Sequence, residues 1–385
     1  MTTAVIVDAI RTPSGRGKAG GALSHENPVD LLATVLRGLL SRNDLDPAII
    51  DDVIGGCVTQ SGQQAVNVTR NAVLAAGFPE SVPATTIDRQ CGSSQQAAHF
   101  AAQSVMAGVN DVVIAGGVEL MSSHPIGQAT LGQSTMSPLL RERYPEGLVN
   151  QGISAELIAA RWRLERDDLD VFAAVSHARA ALADFSSEIL PIGDLRRDET
   201  IRPGTTADGL SGLPPAFFNE EIAAQFPEIA WRVTAGNSSP LTDGASTVLI
   251  MSEERAATLG LTPRARFHSF AVVGSDPIEM LTGIIPATHR VLERSGIQLD
   301  QLDSVEVNEA FASVALAWLR EFPVDPAIVN PRGGAIALGH ALGSSGTRLL
   351  TTLVNQLETT GGRYGLQVMC EGGGMANATL IERLA

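Results

Sequence analysis

The stretch from Thr85 to Gly108, TTIDRQCGSSQQAAHFAAQSVMAG, decides the fold. Thr85 to Asp88 reads as a short buried strand. Gly92 to Met106 is rich in Ala, Gln and Ser, with Ala97, Ala98, Ala101, Val105 and Met106 at near-helical spacing. Cys91 therefore stands where a strand hands over to a helix. There the free N–H groups and positive end of the helix dipole are expected to favour its thiolate, the nucleophilic form.

Outward from this junction, strands and helices alternate. Toward the N-terminus the sequence predicts a strand at Ala4–Ile10, a helix at Pro28–Leu40, a strand at Asp52–Val58 and a helix near Asn67–Gly77. An apolar strand follows at Asp111–Gly116. This alternation predicts parallel pairing in a layered α/β domain. The rhythm breaks between Met121 and Pro240, where Gly, Pro and charge clusters surround one strongly helical piece at Ile153–Ala183 and a Pro-rich SGLPPAFF. We read an inserted subdomain here, rich in arginine: Arg141, Arg143, Arg161, Arg163, Arg166, Arg196, Arg197, Arg202 and Arg232. For any one of these, a solvated helical face balanced by acids is the ordinary expectation.

ASTVLIMS and a helix at Glu253–Gly260 return the chain to its first unit. Alternation then resumes, with strands at Arg266–Val273, Ser304–Asn308, Gly365–Cys370 and Ala376–Glu382, and helices at Ala287–Ser295, Ala310–Phe322 and Ala341–Thr360. The second half repeats the element order of the first, which predicts two α/β units related by a pseudo-twofold axis, with sites where strand ends meet helix starts.

Composition narrows the function. The 385 residues are 44% hydrophobic but only 4% aromatic, which suits a core of small aliphatics. No apolar run approaches the roughly 20 residues of a membrane helix, and the N-terminus enters a strand without a basic, apolar leader, so a cytoplasmic protein is expected. Three scattered cysteines, Cys57, Cys91 and Cys370, form neither a disulfide framework nor a zinc pattern, and Cys57 in IGGCVTQ reads as core. A formal charge of −15 argues against nucleic acid and anionic membranes as partners.

Two further glycine-rich motifs carry chemistry. NPRGGAIALGHALGSSG, Asn330 to Gly346, sets His340 between a loop and a helix start, and its glycines imply close backbone approach. MCEGGGMANA ends an apolar strand at Cys370, and Gly372 to Gly374 either form a tight turn or present N–H groups to a developing oxyanion.

Cys91 in DRQCGSS, Asn308 in VNEAFA, His340 in GGAIALGHALG and Cys370 in CEGGGM occur in that order. With VIVDAIRTPSGRGKAGGAL, DVVIAGGVELMSS, VTAGNSSPLTDGAS and GGGMANATLIERL, the whole chain resembles the thiolase family of acyl-CoA acyltransferases. The resemblance implies two βαβαβαββ units in an αβαβα layering: residues 1–120 completed by 239–261, and 262–385, with 121–238 as a loop domain over coenzyme A. It implies that His340 activates Cys91, which attacks a 3-ketoacyl-CoA, and that Cys370 handles the C2 proton. One oxyanion hole would comprise His340 and a water on Asn308; the other, the N–H groups of Cys91 and Gly372.

Phe217 of LPPAFF, Ala235 and Ser239 of TAGNSS, and Ala310 and Phe311 of NEAFA match pantetheine-lining positions, and some arginines are expected at the nucleotide phosphates. Coenzyme A and acyl-CoA enter as substrates, with no permanent cofactor and no metal, and a homodimer or homotetramer is expected. The sequence departs from the family at several places. Ala341 replaces a usual proline and is expected to loosen the His340 loop; Ser94 and Gln95 are expected to reshape the pocket below Cys91; Pro240 replaces a glycine, Gln151 a frequent methionine, and the segment from Asn219 to Arg232 runs long. DRQCGSSQQA and CEGGGM resemble bacterial thiolases of lipid and sterol catabolism and point toward a bulky or long acyl group. Three other readings stand beside degradative thiolysis: biosynthetic condensation of two acetyl-CoA, a decarboxylating ketoacyl synthase, against which Cys370 speaks, and a non-catalytic acyl-CoA carrier.

Overall fold

The computed structural model describes residues 2–384. Ten strands form it: β1 (Ala4–Arg11), β2 (Gly15–Arg16), β3 (Asp52–Gly56), β4 (Ala84–Ile87), β5 (Val112–Leu120), β6 (Thr242–Ser252), β7 (Ala265–Gly274), β8 (Ser304–Val307), β9 (Tyr364–Glu371) and β10 (Met375–Arg383). Their order is β4-β3-β5-β6-β1-β7-β10-β9-β8, with β2 beside β6.

This order is symmetric about the β1–β7 seam, where only Val5 and Ile6 pair, with Arg266 and Ala265. Outward from β1, the neighbours β6 and β5 are antiparallel and then β3 and β4 are parallel. Outward from β7, β10 and β9 are antiparallel, β8 is parallel, and a parallel bridge from Val305 to Val329 stands where β4 stands in the first unit. One side-chain device recurs as well. Asp51 accepts from the N–H groups of Asp111 and Val112 at 2.7 and 2.9 Å, and Asp303 accepts from those of Arg363 and Tyr364 at the same distances.

The expectation of parallel pairing holds for β3 with β4 and β5 and for β8 with β9, and is corrected for the other pairs. Parallel ladders arise only where a helix carries the chain back over the sheet, as between β3 and β4, and between β8 and β9. A glycine turn joins β9 to β10 and a long excursion joins β5 to β6, and both of these pairs are antiparallel. The expected buried strand at Thr85–Asp88 is also corrected: β4 is an edge strand, and none of its four residues is fully buried.

Two helices, Ser93–Met106 and Ser345–Thr360, pack on each other between the two half-sheets. Their contact is made by small and aliphatic residues: Ala97, Ala98, Ala101, Ala102 and Val105 on one, Leu350, Leu353, Val354 and Leu357 on the other. Alanine lets the backbones approach closely, which explains the Ala-rich pattern read from the sequence. The helix Pro28–Arg42 covers the outer face of the first half-sheet with Leu31, Leu32, Val35, Leu36 and Leu39. It starts where expected because Asn27 caps the Val29 N–H at 2.9 Å with Pro28 in the first turn. The helix Ile284–Ser295 covers the second half-sheet through Ile284, Ala287 and Val291. The result is a helix–sheet–helix–sheet–helix layering.

Between Leu120 and Thr242 the chain adds no strand to the sheet. The helix expected across Ile153–Ala183 is two helices, Gln151–Arg161 and Arg166–Leu182. Arg163 takes a left-handed φ of 52°, and the Leu164 N–H closes back onto the Ala159 carbonyl at 2.8 Å, which ends the first helix. A capping box between Glu165 and Asp168 starts the second.

Candidate active site

Cys91 lies in the turn between β4 and the helix Ser93–Met106, where Gln90 has a left-handed φ of 49°. Its side chain is 1% exposed in a nest of Met121, Leu342, Leu349 and Met369. Three nearby groups favour its ionised form: its own backbone N–H, the backbone N–H of Gly372 and the side chain of Gln151. The N–H groups of Cys91 and Gly372, from different units, thus both act on the Cys91 sulfur.

The expected thiolate is corrected. Burial pushes the Cys91 thiol up to about 12, Glu371 adds to the rise, and the three donors only partly offset it. Desolvation outweighs the helix dipole because no cation acts on the sulfur. Cys370, on the last turn of β9, is fully buried, and its thiol lies well above the ordinary range through burial and through the proximity of Cys91. Both sulfurs rest as thiols. Cys57 is buried 3.9 Å from Glu119, in agreement with its reading as core.

His340 is 5% exposed, and burial together with Arg348 lowers its pKa to about 3, so its ring is neutral at physiological pH. Its tautomer follows from its neighbours. With the one Ser345 Oγ proton assigned to the Ala341 carbonyl at 2.8 Å, the hydroxyl accepts from His340 Nδ1, 2.7 Å away. Nδ1 then carries the hydrogen, and Nε2 offers a buried lone pair that meets no protein donor. The backbone is pinned too: the His340 N–H donates to Thr242 Oγ1 at 2.9 Å. Gly339, at φ 84°, has no room for a side chain there, since a Cβ would stand 2.5 Å from the same oxygen. Asn308 follows β8, 1% exposed, with neither amide atom bonded within the protein. That unspent amide is what holding a water requires.

The expected loosening at Ala341 is not found. Its carbonyl accepts from the N–H groups of Ser344 and Ser345, both at 3.0 Å, as well as from Ser345 Oγ, which fixes the loop without a proline. Nor do Ser94 and Gln95 line a pocket below Cys91. Ser94 Oγ accepts from the Thr347 N–H of the other central helix at 3.0 Å, and Gln95 Nε2 donates to Thr379 Oγ1 on β10 at 2.6 Å.

The positions expected along the pantetheine fall on one wall. Ser239 donates its N–H to the Ala310 carbonyl at 3.0 Å, Ser238 bridges to Phe311, and Phe217 stands edge-on to Phe311 with centroids 5.8 Å apart. Ala235 is exposed at the tip of the same loop. Among the arginines, Arg161 pairs with Glu279, Arg166 with Asp170, and Arg232 with Glu165, so these three serve the fold.

Two residues were missed as site members by sequence reasoning. In sequence Gln151 stands out only where methionine is frequent, yet it starts a helix and its side chain favours the ionised form of Cys91. Glu371 was quoted within CEGGGM without a role, yet its carboxyl lies against Gly92, where a Cβ would meet Oε1 at 1.9 Å. Among the described residues no group of three or more His, Cys, Asp or Glu is arranged to hold a metal ion, and no helix is long and apolar enough to cross a membrane.

Comparison with known proteins agrees with this geometry. The family model for the thiolase N-terminal domain matches residues 4–254, and that for the thiolase C-terminal domain residues 261–383. The steroid 3-ketoacyl-CoA thiolase FadA6 of Mycobacterium tuberculosis is 48% identical over 100% of this chain and 95% of its own. A 3-ketoacyl-CoA thiolase of Aliivibrio salmonicida is 44% identical over the whole of both chains. The crystal structure of the Bacillus anthracis acetyl-CoA acetyltransferase superposes with a TM-score of 0.87 at 37% identity, covering 100% of this chain and 99% of that one. By sequence and by fold, the chain belongs to the thiolase family.

Proposed function

We propose that this protein cleaves 3-ketoacyl-CoA thiolytically, through an acyl-thioester on Cys91, in the catabolism of fatty acids or sterol side chains. The observation that carries this reading is the proximity of two buried thiols from two units, Cys91 from the first and Cys370 from the second, with the Gly372 N–H of the second unit acting on Cys91.

Both reacting groups start neutral, so the thiolate forms only as substrate binds. His340 Nε2 takes the Cys91 proton, and the sulfur attacks the C3 carbonyl, whose developing charge falls to the oxyanion donors. The C2–C3 bond then breaks. Its electron pair stays on C2, which takes the Cys370 proton and leaves as acetyl-CoA or another short acyl-CoA. The incoming coenzyme A thiol gives its proton to the Cys370 thiolate and attacks the Cys91 thioester. Collapse releases the shortened acyl-CoA, and Cys91 recovers its proton from His340. Each proton removed is returned, and coenzyme A and acyl-CoA are substrates, with no resident cofactor in the scheme.

The residues assigned to chemistry are Cys91, His340, Cys370, Asn308 and Gly372; those assigned to the pantetheine are Phe217, Ala235, Ser239, Ala310 and Phe311. We assign residues 1–120 with 239–261 to the first unit, 262–385 to the second, and 121–238 to a loop domain covering coenzyme A. A cytoplasmic homodimer or homotetramer completes the proposal. Exposed Ile126, Leu131 and Leu139 between β5 and the helix starting at Gln151 support self-association. The relative named as a steroid thiolase favours a bulky acyl group over condensation of two acetyl-CoA. Thiolysis rates across 3-ketoacyl-CoAs, from acetoacetyl to ring-bearing, test the assignment: faster turnover of the bulky substrates is expected, and activity confined to acetoacetyl-CoA would contradict it.

A further inference from the structure

The pseudo-twofold equates two buried carboxyl groups. Asp51 and Asp303 cap the starts of β5 and β9 in the same way, and counted from those caps Glu119 and Glu371 stand equally far along their strands. Each reaches across to the helix start of the other unit. Glu119 is fully satisfied: it accepts from the N–H groups of Val58, Thr59 and Gly343 and from Gln64 Nε2, all within 2.8 to 3.0 Å. Glu371 has the same burial, 0% exposed, but neither carboxyl oxygen has a partner within the protein. Its counterpart contact is the Gly92 backbone, and that N–H is already spent on the Arg89 carbonyl at 3.1 Å.

A buried carboxylate without hydrogen bonds is among the costliest groups in a protein, and proteins avoid the cost by protonating it. Burial and Asp88 raise the Glu371 pKa to about 9, and Arg89 opposes them. The other titratable groups facing it are the two thiols, Cys91 across the turn and Cys370 beside it on β9, and both would be pushed up by a charge on Glu371. Burial raises the Glu119 carboxyl as well, but four donors oppose it there, so the first unit uses this strand position as a hydrogen-bonded clamp and the second leaves it without partners.

We propose that Glu371 is a positioning residue of the thiolase reaction, an un-ionised carboxylic acid against the Cys91 turn whose deprotonation at alkaline pH closes the site by holding both thiols in their protonated form. The proposal rests on the reading of Cys91 as nucleophile, but its first readout does not require thiolysis. Iodoacetamide alkylation of Cys91, followed peptide by peptide across pH 7 to 10, reports thiolate directly. In the native protein the rate is expected to lag near pH 9, where Glu371 loses its proton. In Glu371→Gln, which keeps the shape and removes the charge, the lag disappears, and alkylation at the alkaline end is about tenfold faster, one unit of thiol acidity. The alkaline limb of thiolysis should move up in step.

Arg89→Gln serves as a second variant if Glu371→Gln folds poorly. Without the cation that favours ionisation, the lag should move to higher pH. Superimposable alkylation profiles in the native protein and both variants would overturn the proposal. A shifted alkylation profile without thiolysis in any form would leave it standing and overturn the proposed function instead.

Discussion

The two units of this protein hold glutamates at one equivalent position and put them to opposite uses. Glu119, in the first, binds four donors and ties the Gly343 N–H, three residues from His340, to the sheet. Glu371, in the second, binds none and stands against Gly92, next to Cys91. One unit's strand end builds the loop that carries the base; the other's lies beside the sulfurs and is itself without a bonded partner.

The most severe way to break the comparison is at the nucleophile. Cys91→Ala should leave no measurable turnover while coenzyme A still binds, because the residues proposed to line the pantetheine lie on other elements; calorimetric titration beside a thiolysis assay checks both halves of the statement. Next comes the clamp. Glu119→Ala strands several buried donors and should destabilise the protein by about 3–5 kcal/mol, read from chemical denaturation, with activity falling as the His340 loop slackens. If Glu119→Ala proved as mild as Glu371→Gln, the claimed asymmetry would be gone.

A pH titration of stability sharpens the same contrast. The folded-state pKa of Glu371 is raised from 4.5 to about 9, so its contribution is complete below about 4.5 and is lost progressively as pH rises to about 9. Removing the titration should therefore make Glu371→Gln melt higher than the native protein above pH 8, with the gap closing toward pH 5. His340 acts at the other end. Its pKa is lowered from 6.5 to about 3, so stability falls as pH drops from 6.5 toward 3, and this limb should be unchanged in Glu371→Gln. The smallest effect is expected at Ala341, whose φ of −72° suits proline and whose N–H donates to nothing among the described residues. Ala341→Pro should add about 0.4–1 kcal/mol without altering turnover.

Much of this architecture was legible in the chain. The alternation of periodicities marked nearly every strand and helix, and the Ala spacing after Cys91 marked a helix packed tightly against another. What escaped has physical causes. Nothing in TTID shows that β4 lies at an edge, because edge and centre differ by neighbours that sequence does not name. The break at Arg163 is made by a non-glycine residue in a left-handed conformation, a signal that residue type conceals. The acidity of Cys91 was misjudged because the helix dipole can be read locally, whereas burial depends on the whole fold. Gln151 and Glu371 join the site from other elements, across gaps that no motif spans.

The account's central claim is that each unit supplies one thiol with its own task. Cys370→Ala, incubated with acyl-CoA and analysed by intact mass and peptide mapping, tests it most directly. The claim predicts a stable acyl adduct on Cys91 and no formation or cleavage of the carbon–carbon bond. A Cys370→Ala protein that cannot be acylated, or one that still turns over 3-ketoacyl-CoA, would contradict it.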